Sequence, residues 1–181
     1  FGEFSRISRE APVLILKHKE SCILPGGAAN AVNNLHALDA QPIPIGILGT
    51  DYAGKELHRQ FQTGKFPLSL VVRNKNYETP TKTRFVAGSV HSTRQQVLRM
   101  DREGKFHHTP DSKRQLWAQL APLLKRCRAI IISDYGFGYV HPDLVAHLAK
   151  RRNKLPITLD SRHNLLEFPG LTASTPNEPE V

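Results

Sequence analysis

From residue 43 onward, short apolar runs alternate with amphipathic stretches, and this alternation narrows the possible folds more than any other feature of the chain. Residues 43–48, 129–133 and 156–159 read as strands that are apolar on both faces, with a further short strand at 68–72. Between them, residues 53–61 and 142–154 repeat apolar positions at helical spacing. After Pro110, Asp111 or Ser112 is the expected cap of a helix running to about Lys125, with Leu116, Leu120, Leu123 and Leu124 on its apolar side. Earlier in the chain, residues 13–16 read as a strand followed by an apolar stretch at 22–24. Residues 28–38 then place Ala28, Ala31, Val32, Leu35 and Leu38 on one helical face. Doubly apolar strands alternating with helices predict an α/β fold with a largely parallel sheet covered on both sides.

Two segments break the alternation. Residues 13–24, and the pair 81–87 and 95–102 joined by the polar loop 88–94, have the pattern of antiparallel ribbon attached to the α/β body. In open parallel sheets ligands bind outside the carboxyl ends of the strands. The residues to inspect are therefore Gly49-Thr50-Asp51, Ser133-Asp134-Tyr135, Asp160-Ser161-Arg162 and Thr175-Pro176-Asn177.

Composition limits the partners. With 25 Lys+Arg against 16 Asp+Glu in 181 residues, the formal charge is +9. That charge admits a nucleic acid, an anionic membrane surface or a phosphorylated small molecule. Much of it lies at Arg126/Arg128 and at Lys150-Arg151-Arg152 with Lys154, where cations at helix ends also suit the macrodipole. Aromatic residues are 7% of the chain and no helix-turn-helix or zinc signature occurs, so nucleic acid is not an expected partner. No apolar run approaches membrane-spanning length, so a membrane is not expected either. Two cysteines, Cys22 and Cys127, exclude a disulfide scaffold and suit a reduced, cytoplasmic protein. The first residues carry charge and predict no secretory leader. The sole methionine is Met100, so the chain is expected to begin inside a longer product.

The most informative run is Pro25-Gly26-Gly27-Ala28-Ala29-Asn30. Paired glycines before a helix allow close approach of a ligand to the backbone, and the helix start offers N–H donors. Asn30, one turn in, can serve a sugar hydroxyl as donor or acceptor. A plain glycine turn opening a helix explains the spacing equally well. Together with residues 5–13, Arg94-Gln95-Gln96-Val97-Leu98-Arg99-Met100-Asp101, Ser133-Asp134-Tyr135 and Thr175-Pro176-Asn177-Glu178-Pro179-Glu180, in that order, the run resembles the ribokinase-like (PfkB) sugar kinases. Within them it is most similar to the heptose-7-phosphate kinases, and the resemblance spans essentially the whole chain.

The resemblance implies a three-layer ribokinase-like fold with a mostly parallel central sheet and an antiparallel β lid. The lid segments would be about 5–25 and 79–103, the body 26–78 and 104–181. It implies an ATP-dependent kinase acting on the anomeric hydroxyl of D-glycero-β-D-manno-heptose 7-phosphate, with Mg²⁺ as cofactor and a homodimer formed through the lid. Gly26, Gly27 and Asn30 would hold sugar hydroxyls, with Asp134 as an acidic sugar contact. Arg99, or Arg94 beside it, would meet the phosphate. Asn177 and Glu180 would lie near the nucleotide, Glu180 meeting Mg²⁺ through water.

The chain departs from the family pattern in three places. Phe137 stands where a Lys is common, and Asp160-Ser161-Arg162-His163 replaces a common Asp-Pro-Lys-Gly, so Arg162 is the candidate to restore a cation. The catalytic base, expected in a Gly-x-Gly-Asp run, does not occur. The domain is thus expected to be incomplete at both ends, with its base beyond Val181 and with little activity alone. Another PfkB-type sugar kinase and a non-catalytic sugar-phosphate-binding module are the alternatives. His107-His108 and His91 lack metal-ligand spacing and read as surface residues.

Overall fold

The computed structural model describes residues 1–88, 93–151, 155–162 and 165–177. The chain divides into two compact units, Phe1–Leu24 with Pro80–Glu103, and Pro25–Thr79 with Gly104–Val181.

The first unit is a four-stranded sheet in the order β2-β1-β5-β6. Strands β1 (Gly2–Ile7) and β2 (Leu14–His18) pair antiparallel with an irregularity between Phe4 and Arg6. Strands β5 (Thr81–Gly88) and β6 (Gln95–Arg102) form the expected hairpin, also antiparallel. The seam between the two hairpins is parallel, Gly2 opposite Ala87 and Glu3 opposite Gly88, so this sheet is mixed rather than antiparallel throughout. The sequence reading missed β1 because its apolar residues, Phe4 and Ile7, do not alternate. It also placed apolar structure at residues 22–24, where no strand forms and Leu24 is 78% exposed.

The second unit carries the α/β alternation. Helix α1 (Ala28–Ala37) precedes β3 (Gly46–Gly49), which pairs in parallel with β4 (Val71–Asn74) across α2 (Tyr52–Thr63). Helix α3 (Pro110–Leu123) leads into β7 (Ile130–Asp134), α4 (Pro142–Arg151) and β8 (Ile157–Ser161), and β9 (Ala173–Ser174) completes a second all-parallel ladder, β7-β8-β9. Among the described residues these are two separate parallel ladders rather than one continuous sheet. Residues 152–154, read as the end of α4, lie outside the described residues.

The core lies between β7/β8 and α4. Ile132, Ile157 and Leu159 alternate inward against Val145 and Leu148, with Phe168 alongside and Trp117 and Leu124 packed on the cluster. Coverage is one-sided: Ile131, on the opposite face of β7, is 52% exposed, and α1 buries none of its residues. The expectation of apolar burial on both faces therefore holds only on the α3/α4 side.

Caps fix where helices start. Thr109, not Asp111 or Ser112, caps α3 by accepting the Ser112 N–H at 3.1 Å, and Pro110 occupies the first turn where its missing N–H costs nothing. Asp51 caps α2 and also clamps the chain further on. Its Oδ1 accepts from the Gly54 N–H and the Thr79 hydroxyl, both at 2.8 Å, and its Oδ2 accepts the Thr79 N–H at 2.7 Å. The same Thr79 oxygen accepts the Gly49 N–H at 2.9 Å. Glycine is required at 49 and 54, because a Cβ at either would press on backbone carbonyl oxygens. Thr79→Val keeps the shape but leaves the buried Gly49 N–H without its acceptor. A loss of about 1–3 kcal/mol is expected, and a urea titration of the variant against the parent measures it.

Candidate active site

The carboxyl ends of β7 and β8 meet residue for residue, Asp134 opposite Ser161. Both side chains are buried. The Ser161 hydroxyl donates to Asp134 Oδ2 at 2.8 Å and the Gly136 N–H to Oδ1 at 3.0 Å, so the carboxylate is held at the sheet edge by two donors. Each oxygen keeps a lone pair for a further donor, such as a sugar hydroxyl.

Tyr135 follows directly and turns toward α1. A Cβ on Gly27 would lie 3.2 Å from the Tyr135 ring, and Gly27 has φ 54, so space and backbone both call for glycine there. Gly27 is the N-cap of α1 and no side chain caps that helix; the Ala29 N–H donates back to Gly26 O at 3.1 Å. Gly26 is exposed and open, and a Cβ placed on it would meet nothing within 4 Å. Asn30 is exposed, its N–H donating to Gly27 O at 3.0 Å. From the other side the Arg162 guanidinium lies 5.4 Å from the centre of the Tyr135 ring, within reach of a cation–π contact. Gly27, Tyr135, Asp134, Ser161 and Arg162 thus form one group. Asn177 lies three residues past the end of β9 and is exposed, while His91, His163 and Glu180 lie outside the described residues.

The two candidate arginines of the first unit are already engaged. Arg99 donates through a terminal nitrogen to Asp101 Oδ2 at 3.0 Å and pairs electrostatically with Oδ1 through Nε at 3.0 Å, and Lys82 donates to the same Oδ2 at 2.9 Å. The Lys82 hydrogen bond is the main reason the Asp101 carboxyl sits below its usual range. A phosphate reaching Arg99 would compete with that carboxylate. Arg94 lies over the Phe1 ring at 4.0 Å and 3.4 Å from Glu20.

A second group was not legible as a site. Residues 105–108 alternate, with Lys105 and His107 exposed and Phe106 and His108 turned inward. The Phe106 N–H donates to Phe137 O at 2.8 Å, and the Phe106 ring packs edge-on to His108 and beside Tyr139. His108 is therefore not a surface residue: its Nε2 donates to Tyr139 O at 2.8 Å, and its ring lies 5.0 Å from that of His141. Burial pushes the Tyr139 hydroxyl up to about 12. The signal for His141 was its place just before Pro142. Its Nδ1 accepts the Leu144 N–H at 3.1 Å, so the ring caps α4 in the manner of a serine or asparagine.

No family model matches the chain. Over its entire length it is 32% identical to the bifunctional protein HldE of Wolinella succinogenes, covering 38% of that protein. It is 34% identical to HldE of Helicobacter hepaticus over the entire chain and 37% of the relative. With HldE of Hyphomonas neptunium the identity is 38% over 88% of the chain and 32% of the relative. Among solved structures, the protein Sa239 superposes with TM-score 0.69 at 12% identity, over 99% of this chain and 57% of that one. A possible 1-phosphofructokinase of Thermotoga maritima gives 0.58 at 16%, over 97% and 56%. Arabidopsis thaliana ribokinase complexed with ribose and ATP gives 0.56 at 16%, over 88% and 48%. The chain has the ribokinase-like fold. It spans little more than a third of the length of the curated relatives it matches.

The cap on α4 makes stability depend on pH. Burial first, then the charges of Lys113 and His108, hold His141 down to about 4 from 6.5. Between those values the unfolded chain takes a proton that the folded chain refuses, so stability falls as pH drops through that window and is flat in this respect above it. His141→Asn keeps an acceptor for the Leu144 N–H and removes the titration. Thermal melts across pH 4–7 are expected to show a shallower acid-side decline in the variant than in the parent.

Proposed function

We propose that this chain is part of an ATP-dependent sugar-phosphate kinase that phosphorylates the anomeric hydroxyl of D-glycero-β-D-manno-heptose 7-phosphate, in the synthesis of ADP-heptose for the lipopolysaccharide core. The observation that carries the reading is the match to HldE along the entire chain. The site's chemistry supports it. Gly26 and Gly27, the uncapped start of α1, Asn30 and the Asp134 carboxylate together offer the donors and acceptors that a polyhydroxylated sugar needs. The Arg162 cation stands beside them, where a phosphate or the transferred group carries negative charge.

ATP would supply the transferred phosphoryl group, as the ATP-bound ribokinase relative suggests. Among the described residues no group of three His, Cys, Asp or Glu side chains can hold a metal ion. Mg²⁺ arriving on nucleotide phosphates needs only one or two carboxylates. Asn177 and Glu180 would meet it and the phosphates. The catalytic base belongs to a part of the protein other than these residues. We place the protein in the cytoplasm, and no described helix is long and apolar enough to cross a membrane.

ADP release by the full protein that depends on both ATP and heptose 7-phosphate is the expected result. Sugar-phosphate binding without turnover would favour the non-catalytic module instead. Asn30→Ala, at an exposed helix position, is expected to raise KM for the sugar roughly tenfold, as loss of one or two hydrogen bonds does, with KM for ATP unchanged.

A homodimer through the lid sheet completes the proposal. Its support is the exposure of Phe4, Ile7, Leu14, Leu98 and Met100 on that sheet. Leu98→Lys is expected to turn a dimer into a monomer in light scattering; a monomeric parent would remove the idea.

A further inference from the structure

A cavity of about 330 Å³ opens beside the end of β7, and its lining includes Asp134, Gly136, Lys105, Lys113, His107 and His141. That volume falls at the lower end of small-molecule sites, roughly 300–1,000 Å³. Its wall combines two kinds of group seldom needed together. The Asp134 carboxylate accepts hydroxyl protons, whereas the lysines and the imidazoles donate to anions.

His141 is the most informative member. Because its Nδ1 accepts a backbone N–H, the ring proton resides on Nε2. That Nε2 is buried and has no hydrogen-bond partner among the described residues. A buried N–H donor left without an acceptor is costly and calls for an explanation, such as a ligand atom that completes it. Lys105 is exposed and has no ion pair among the described residues, so its charge is not neutralised by the protein. Lys113 is shared with Asp143 at 3.0 Å, which makes it the weaker anion contact.

We infer that this cavity holds the phosphate of a phosphorylated sugar, with Lys105 as its cation and the His141 Nε2–H as a buried neutral donor, while Asp134 in the same wall takes a sugar hydroxyl. The assignment rests on the kinase reading for the identity of the sugar, but not for the phosphate. It differs from the arginine reading of the sequence, since Arg99 is satisfied by Asp101 and lies in the other unit. The depressed titration of His141 fits, because a ring that stays neutral near pH 7 keeps both its cap on α4 and its single donor.

The test is calorimetric titration of the full protein with heptose 7-phosphate, the same heptose without phosphate, inorganic phosphate and ATP. Lys105→Gln and His141→Asn are compared with the surface control Lys125→Gln, each checked for an unchanged melting profile at pH 7. Each of the first two is expected to weaken heptose 7-phosphate about tenfold, the effect of one charge-assisted or buried hydrogen bond. The unphosphorylated heptose and ATP should be unaffected. Affinity for heptose 7-phosphate equal to the parent's in both variants overturns the assignment, and so does an equal loss for ATP, which would make the cavity a nucleotide site. Inorganic phosphate bound as tightly as the sugar phosphate overturns the sugar part by showing a site for the free anion. If turnover fails while Lys105-dependent binding of the sugar phosphate persists, the kinase reading is wrong and this one stands; if turnover proceeds with Lys105-independent binding, the reverse holds.

Discussion

The parallel pairing of β7 with β8 is the constraint on which the rest of the second unit depends. Its register sets Ile132 opposite Leu159 and Asp134 opposite Ser161. One residue of slip would turn Ile132 and Leu159 away from Val145 and Leu148 and would part the buried carboxylate from its hydroxyl donor. Hydrophobic burial and hydrogen bonding therefore select the same register. The interior of the strands makes the core against α4, and their ends, because the register is fixed, present the polar groups together. An isolated buried carboxylate would cost several kcal/mol. With Ser161 and Gly136 donating, it becomes the fixed point from which Tyr135 leaves the sheet.

The direction of that exit explains Gly27. Tyr135 reaches α1, and the helix begins at a residue with positive φ close to the ring. Two independent requirements coincide at one position: a backbone conformation that β-carbon-bearing residues seldom adopt, and a gap that a side chain would fill. A glycine turn that only opened a helix would need the first and not the second. The close approach of ring and backbone is what distinguishes this turn from an ordinary one, and both the Arg162 cation and the start of α1 lie near the same ring.

What was legible in the sequence follows from what sequence patterns encode. Helical periodicity and the 81–88/95–102 alternation depend on neighbours along the chain, and α1, α2, α4 and the β5–β6 hairpin came out within a few residues. Strand β1 was invisible because its partners, residues 14–18 and 87–88, supply the pairing that its own pattern does not announce. The α3 cap was misplaced for a similar reason: Thr109, Asp111 and Ser112 are all good caps by type, and only the backbone decides that Thr109 is extended and the others helical. The strand-end rule found Asp134, Ser161 and Arg162 before their contacts were known, since it depends on topology alone. It could not find His108, His141 or Lys105, which precede helices or follow a lid strand and converge only in three dimensions.

The positive charge can now be followed to particular places. With 25 cations and 16 acids, acids are the limiting partners. Several are committed locally: Glu56 to Arg59, Asp101 to Lys82 and Arg99, Asp143 to Lys113, Glu3 to Lys19. Such exposed pairs contribute little to stability, but each removes a cation from the set available to a ligand. Asp134, the acid nearest the strand-end group, is occupied by a hydroxyl and an amide rather than by a cation, so it neutralises neither Arg162 nor Lys105. Two cations of the surplus, Arg162 and Lys105, are thereby left unneutralised by Asp134 near the ends of two parallel strands. A surface that merely repelled its own copies would gain nothing from that placement, whereas an anionic small molecule would meet counter-charge beside a fixed hydroxyl acceptor.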